Sequence, residues 1–237
     1  MLTFEKVSDA LLKLGYSHGG FLCDISTPLS PSLPPSLHTA DPPPLLAPRT
    51  PLPKTPIIAP ATTIQFASKS NTTFRPSPTC TVPPAGTPFA DLIAPGHAVV
   101  ITQEKYTSSA IMGGLGAARI CKLGAPLAVV DGRVRDIPEL KLPVYARGTS
   151  TVGTGAGNEV VGVGGEVVVV SGEEGEGVRV CEGDWVFADE QGVVVFPRAE
   201  LERVVGLVGE VVMNGRNLMM DVLRGRGLAE AVREHGR

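Results

Sequence analysis

Apolar residues recur at Phe4, Val7, Leu11 and Leu14, an i, i+3, i+7 type of spacing that predicts an amphipathic helix over residues 3–15, closed by Gly15. A glycine turn, "HGGF", follows it. Further on, residues 57–67, "IIAPATTIQFA", and 97–102 read as strands, and the pair Gly113–Gly114 opens a helix over 115–123. Next come a strand at 126–131, a short helix near 136–141 and a strand at 143–147, "PVYAR". Strand, crossover helix and strand in that order predict parallel pairing with a right-handed crossover. From 160 to 196 the runs "EVVVV", "GVRV", "DWVFAD" and "GVVVF" are separated by glycine-rich turns and predict antiparallel strands. Residues 198–235 predict two helices broken around Gly225 and Gly227.

Composition interrupts this pattern in one place above all. Eleven of the 22 prolines lie between Thr27 and Pro56, where neither a helix nor a strand ladder can form, so 27–56 reads as an exposed, polyproline-like insertion. A second irregular loop rich in Pro, Ser and Thr covers 70–88. The 237 residues suffice for a single domain over 1–237 with a substantial core, and 43% of them are hydrophobic. A net charge of −3 offers no basic field for nucleic acid. Cys23, Cys80, Cys121 and Cys181 are far apart and show no metal-binding spacing, which points to free thiols in a reducing compartment. Glu5, Lys6 and Asp9 stand where a signal peptide needs an apolar stretch, and no run approaches the ~18 apolar residues of a membrane span. A cytoplasmic protein without a membrane partner is expected.

The candidate chemistry gathers in "GGLGAAR" (113–119) and "VVDGRVRD" (129–136). Glycines at a helix start let a ligand approach the backbone, whose first N–H groups and dipole favour an anion. Arg135 carries a planar fork suited to a carboxylate or a 2-oxo acid, and Asp136 is a hard oxygen ligand for Mg²⁺ or Mn²⁺. Both stretches belong at the carboxyl ends of parallel strands, where ligands collect in such sheets. A purely structural role is the alternative: "DIPE" (136–139) has the form of a capping box, with Asp136 as N-cap and Glu139 three residues on. His18, His38, His97 and His235 are isolated, and Asp184 and Asp189 suit turns. "GTGAGNEVVGVGG" (153–165) lacks the Lys-Ser/Thr of a phosphate-binding loop and reads as a flexible loop.

"IIAPATTIQF", "IAPGHAVVI", "MGGLGAARICKLGAPLAVVDGRVRDIPEL", "LPVYARGTST" and "GDWVFADEQGVVVFP", in that order, resemble the RraA-like family of 4-hydroxy-4-methyl-2-oxoglutarate aldolases, oxaloacetate decarboxylases and regulators of ribonuclease E. The resemblance implies an α/β fold of the swivelling β/β/α type with a central parallel or mixed sheet. It implies homotrimers or homohexamers with sites near subunit interfaces. In the family the arginine matching Arg135 binds the 2-oxo acid, and the aspartate matching Asp136 holds the divalent cation. The backbone around Gly113, Gly114 and Leu115 receives the substrate carboxylate. The implied activity is metal-dependent cleavage of a small 2-oxo acid to pyruvate; the other branch implies a non-catalytic regulator of a protein partner such as a ribonuclease. Two departures stand out: many aldolases of the family have an acid where this chain has Gly114, and glutamates where it reads "MNGRNLMM" (213–220), for which Glu210 is the nearest substitute.

Overall fold

The computed structural model describes residues 3–27, 53, 55–104, 107–170 and 177–235, so most of the insertion expected at 27–56 lies outside the described residues. Helix α1 (Phe4–Lys13) forms as the spacing predicts and buries Val7, Ala10 and Leu11. The sheet is built around β1 (Ile57–Ser68), a strand of 12 residues. Along one edge of β1 runs β2 (Ala98–Gln103), parallel to it. β2 in turn pairs in parallel with β4 (Ala128–Val134), and β4 with β5 (Val144–Thr149). Between β2 and β4 in sequence lie β3 (Ala110–Met112), also parallel to β4, and helix α2 (Gly114–Lys122). The parallel crossover predicted for 97–131 is therefore present, with one extra strand of three residues.

Beyond these, β6 (Asn158–Val163) pairs antiparallel with the second half of β1. β7 (Glu166–Val170) and β8 (Gly177–Cys181) make a separate antiparallel pair. β9 (Trp185–Asp189) pairs antiparallel with the first half of β1, and β10 (Gly192–Phe196) completes that edge. The sheet order is β10-β9-β1-β2-β4-β3, eight strands with β5 and β6 at branches. Helices α3 (Leu201–Leu223) and α4 (Leu228–His235) follow, split at Gly225 and Gly227 as expected. No helix among the described residues is long and apolar enough to cross a membrane.

Period-two alternation sends side chains to both faces of the sheet, and both are covered. Val99 and Ile101 of β2, Val130 of β4 and Val144 of β5 meet Ala117 and Ile120 of α2 on one face. Ala98, Val100, Val129 and Tyr145 meet Val167, Val169 and Val180 of the β7–β8 pair on the other. The β9–β10 ribbon repeats the trick: Val186 and Val193 join this second core, while Phe187, Val194 and Phe196 face α1 and α3. Fully burying each such side chain stabilises the fold by about 1.5–3 kcal/mol. Tyr145 also donates its hydroxyl to the Asp189 carbonyl at 2.6 Å, and burial, helped by the Asp189 charge, pushes that hydroxyl's pKa well upward.

Two aspartates serve turns as expected. Asp189 accepts the N–H groups of Phe4 and Gln191, and Asp184 those of Cys181 and Arg198.

Candidate functional site

The charged run that ends β4 divides its work. Asp131 is buried and pairs with Arg147 of β5, so this acid belongs to the sheet. Arg133 points outward, donating to the Thr149 carbonyl at 3.0 Å. Arg135 and Asp136 lie past the strand end. The Arg135 N–H donates to the Met112 carbonyl at 3.0 Å, carrying the β3–β4 pairing one step further and fixing the backbone from which both side chains leave.

Asp136 adopts a left-handed conformation, φ 55°, which costs a non-glycine residue energy and is least unfavourable for Asp and Asn. That conformation turns its carboxylate back across the sheet. Oδ2 accepts the Gly114 N–H at 3.2 Å and lies 3.3 Å from Arg135 Nε. The capping-box alternative is thereby corrected. Asp136 makes no side-chain bond to the turn that follows it, which is a single 3₁₀ turn, Ile137–Glu139, in place of the helix expected over 136–141. Its carboxylate instead satisfies one of the N–H groups that the start of α2 leaves without an intrahelical partner.

Gly113 is required by this geometry. A Cβ there would stand 2.6 Å from Asp136 Oδ2 and 3.1 Å from Arg135 Cγ. Gly113, Leu115, Gly116, Arg135 and Asp136 line a cavity of about 490 Å³ at the positive end of the α2 dipole. Phe89 and Ile111 give it an apolar side, and Phe89 is held edge-on against Phe66 with ring centres 5.7 Å apart. All five residues singled out from sequence, Gly113, Gly114, Leu115, Arg135 and Asp136, thus meet at one place.

The opposite wall is not legible in the chain's pattern. Residues 153–156, read as part of a flexible loop, form a 3₁₀ turn, Thr154–Ala156, against Arg135; a Cβ on Gly153 would lie 2.6 Å from Arg135 Nη1. The turn is tied down on both sides. Ala110 N–H donates to the Val152 carbonyl at 2.8 Å, Thr154 Oγ1 to the Ala110 carbonyl at 2.7 Å, and Asn158 Nδ2 to Ser109 Oγ at 2.5 Å. Glu210 does not reach this cavity within the chain: it pairs with Lys13 at 2.9 Å, between α3 and α1.

Outside the site, His97 Nδ1 sits 3.1 Å from Thr62 Oγ1, which also donates to Glu182 at 3.2 Å; Thr62 is buried, so this network joins β1 to its neighbours. Asp221, Glu234 and His235 approach one another at the α3–α4 turn, but Arg226 already binds both acids there.

Asp136 supplies one hard carboxylate oxygen of the kind a divalent cation takes, while the Gly114 N–H and the Arg135 guanidinium beside it suit an anion. Arg135, Asp136 and the glycine-opened start of α2 thus share one cavity at the carboxyl end of a parallel strand in a mixed α/β sheet. The sequence model of the RraA-like family, described as Aldolase/RraA, matches residues 42–195, and the chain belongs to that family. Over 118 residues the chain is 31% identical to a protein of Halalkalibacterium halodurans named "Putative 4-hydroxy-4-methyl-2-oxoglutarate aldolase"; the match covers 47% of this chain and 51% of that protein, so the chain spans about half the length of this relative. Two crystal structures share the fold. One is an uncharacterized protein of Pseudomonas syringae pv. tomato (TM-score 0.67, 20% identity, 97% of this chain and 92% of that one). The other is Streptomyces coelicolor RraAS2, described as an unusual member of the RNase ES inhibitor RraA protein family (TM-score 0.61, 19% identity, 95% and 92%).

Proposed function

We propose that the chain is a divalent-metal-dependent carbon–carbon lyase of small 2-oxo acids, cleaving 4-hydroxy-4-methyl-2-oxoglutarate-like substrates, decarboxylating oxaloacetate, or both, with pyruvate as product. The observation that carries the proposal is the convergence of Arg135 and Asp136 on the start of α2 across one cavity. Asp136 would hold the cation, Mg²⁺ or Mn²⁺, and Gly113 leaves its carboxylate room to do so. When bound, such a cation supplies Lewis-acid polarisation of the substrate's 2-oxo group. The substrate carboxylate fits the first turn of α2, where Leu115 and Gly116 line the cavity and the dipole favours negative charge.

Arg135 then faces the 2-oxo oxygen. As the bond between C3 and the departing carbon breaks, its electron pair moves into the 2-oxo system, and the guanidinium is placed beside the oxygen where that charge collects. The departing carbon leaves as CO₂ in the decarboxylation, or, in the aldol cleavage, as a carbonyl whose hydroxyl proton passes to water; a proton taken from water at C3 then gives pyruvate. The half-apolar wall of Phe89 and Ile111 limits water around the developing charge. A homotrimer or homohexamer acting in the cytoplasm fits this reading, and the four cysteines, all free thiols, accord with a reducing compartment.

A pyruvate-coupled assay with oxaloacetate, with Mg²⁺ or Mn²⁺ and with chelator, tests the proposal. Metal-dependent pyruvate release should appear, and Arg135→Ala should lower it by about 10²-fold or more, the loss typical of removing one charge-stabilising donor. Release that is absent, or indifferent to chelator, would favour the non-catalytic regulator that binds a ribonuclease-like partner.

A further inference from the structure

Gly114 has a second neighbour besides Asp136. A Cβ built on Gly114 would lie 2.3 Å from Glu139 Oε2 and 2.7 Å from Glu139 Cβ. The Glu139 side chain therefore occupies the space that any residue other than glycine would claim at the first position of α2. The 3₁₀ turn puts it there: Glu139 N–H donates to the Asp136 carbonyl at 2.8 Å, which folds the chain back by one turn and brings both carboxylates to the same helix start. They approach it differently. Asp136 Oδ2 is engaged by the Gly114 N–H and faces Arg135, while the Glu139 carboxylate has no hydrogen-bond or ion-pair partner among the described residues.

Resting on the metal-dependent reading above, we infer that Glu139 is the second carboxylate of the cation site, placed over Gly114 beside Asp136. The argument is one of charge and room. Arg135 already offsets part of the Asp136 charge from 3.3 Å, so one carboxylate alone gives a divalent cation little net attraction. An unpartnered second acid at the same helix start restores it. Gly114 then has a definite role: the absence of its side chain admits that acid, and the two positions act as one unit.

The probe is Mn²⁺ alone, titrated into the full chain without substrate and followed by the paramagnetic resonance of the free ion, with circular dichroism to check folding. Glu139→Gln should weaken Mn²⁺ binding at least about 10-fold, since losing even a carboxylate that only supports a metal ligand costs about that much. Gly114→Ala should weaken it similarly by displacing Glu139, and should add nothing in a Glu139→Gln background. Wild-type affinity in Glu139→Gln, alongside lost affinity in Asp136→Asn, overturns this inference and leaves the metal-dependent reading standing. An undiminished effect of Gly114→Ala in the Glu139→Gln background also overturns it, because that glycine would then act without Glu139. If the wild-type chain binds no Mn²⁺, both readings fail together.

Discussion

At the scale of single residues the site is governed by what glycine leaves out. Gly113 makes room for Asp136, Gly114 for Glu139 and Gly153 for the Arg135 guanidinium. The last is the most easily isolated. A methyl group on Gly153 meets only the far end of a flexible arginine, which can swing aside, so Gly153→Ala should leave the melting temperature within about 2 °C of wild type; under the proposed lyase reaction it should reduce pyruvate release roughly tenfold or more, since the arginine would no longer point at the charge that reaction develops. Steady-state kinetics beside a thermal melt separates the two. That Arg135 and Asp136 would meet at the start of α2 was legible in the chain because it is written in residue type and order, an arginine and an acid ending a strand beside a glycine-opened helix. The places of Gly153 and Glu139 were not. A glycine in "GTGAG" looks the same whether it faces solvent or a guanidinium, and Glu139 looked like the far half of a capping box. What distinguishes them is the left-handed turn at Asp136, a backbone state that a sequence does not display.

At the scale of elements the longer strands and helices were legible, since each presents several turns or residues to a core. The three-residue strand β3 was not, being too short to show a period, and it owes its existence to Arg133, Val134 and Arg135 offering it a partner strand. Elements are also joined by polar contacts whose loss is predictable. Asp131 is 6% exposed and its partner Arg147 only partly so. Arg147→Ala would leave a buried carboxylate without its counter-charge, and should lower unfolding free energy by about 3–5 kcal/mol in urea titrations, whereas replacing both partners with apolar residues should recover much of that loss.

For the whole molecule, the junction of α3 and α4 is a seam that acid loosens. The His235 ring and the Arg226 guanidinium together hold the Asp221 carboxyl below the usual carboxylate range. A carboxylate depressed in the folded state contributes stability that is present above its unfolded pKa and is lost as pH falls through the folded one. The melting temperature should therefore fall on acidification below about pH 4, and more steeply in wild type than in Asp221→Asn, which lacks that contribution at every pH; melts across a pH series check both slopes. The third core has a different consequence. Lys13 and Glu210, which clasp α1 to α3, stand 197 positions apart. At ~5–20 residues per second of synthesis, α1 waits on the order of ten to forty seconds after it is made for the partner that hides its oily side. Throughout that interval Val7, Ala10 and Leu11 are open to whatever chaperone stands at the exit, so this helix depends on being looked after until α3 is made.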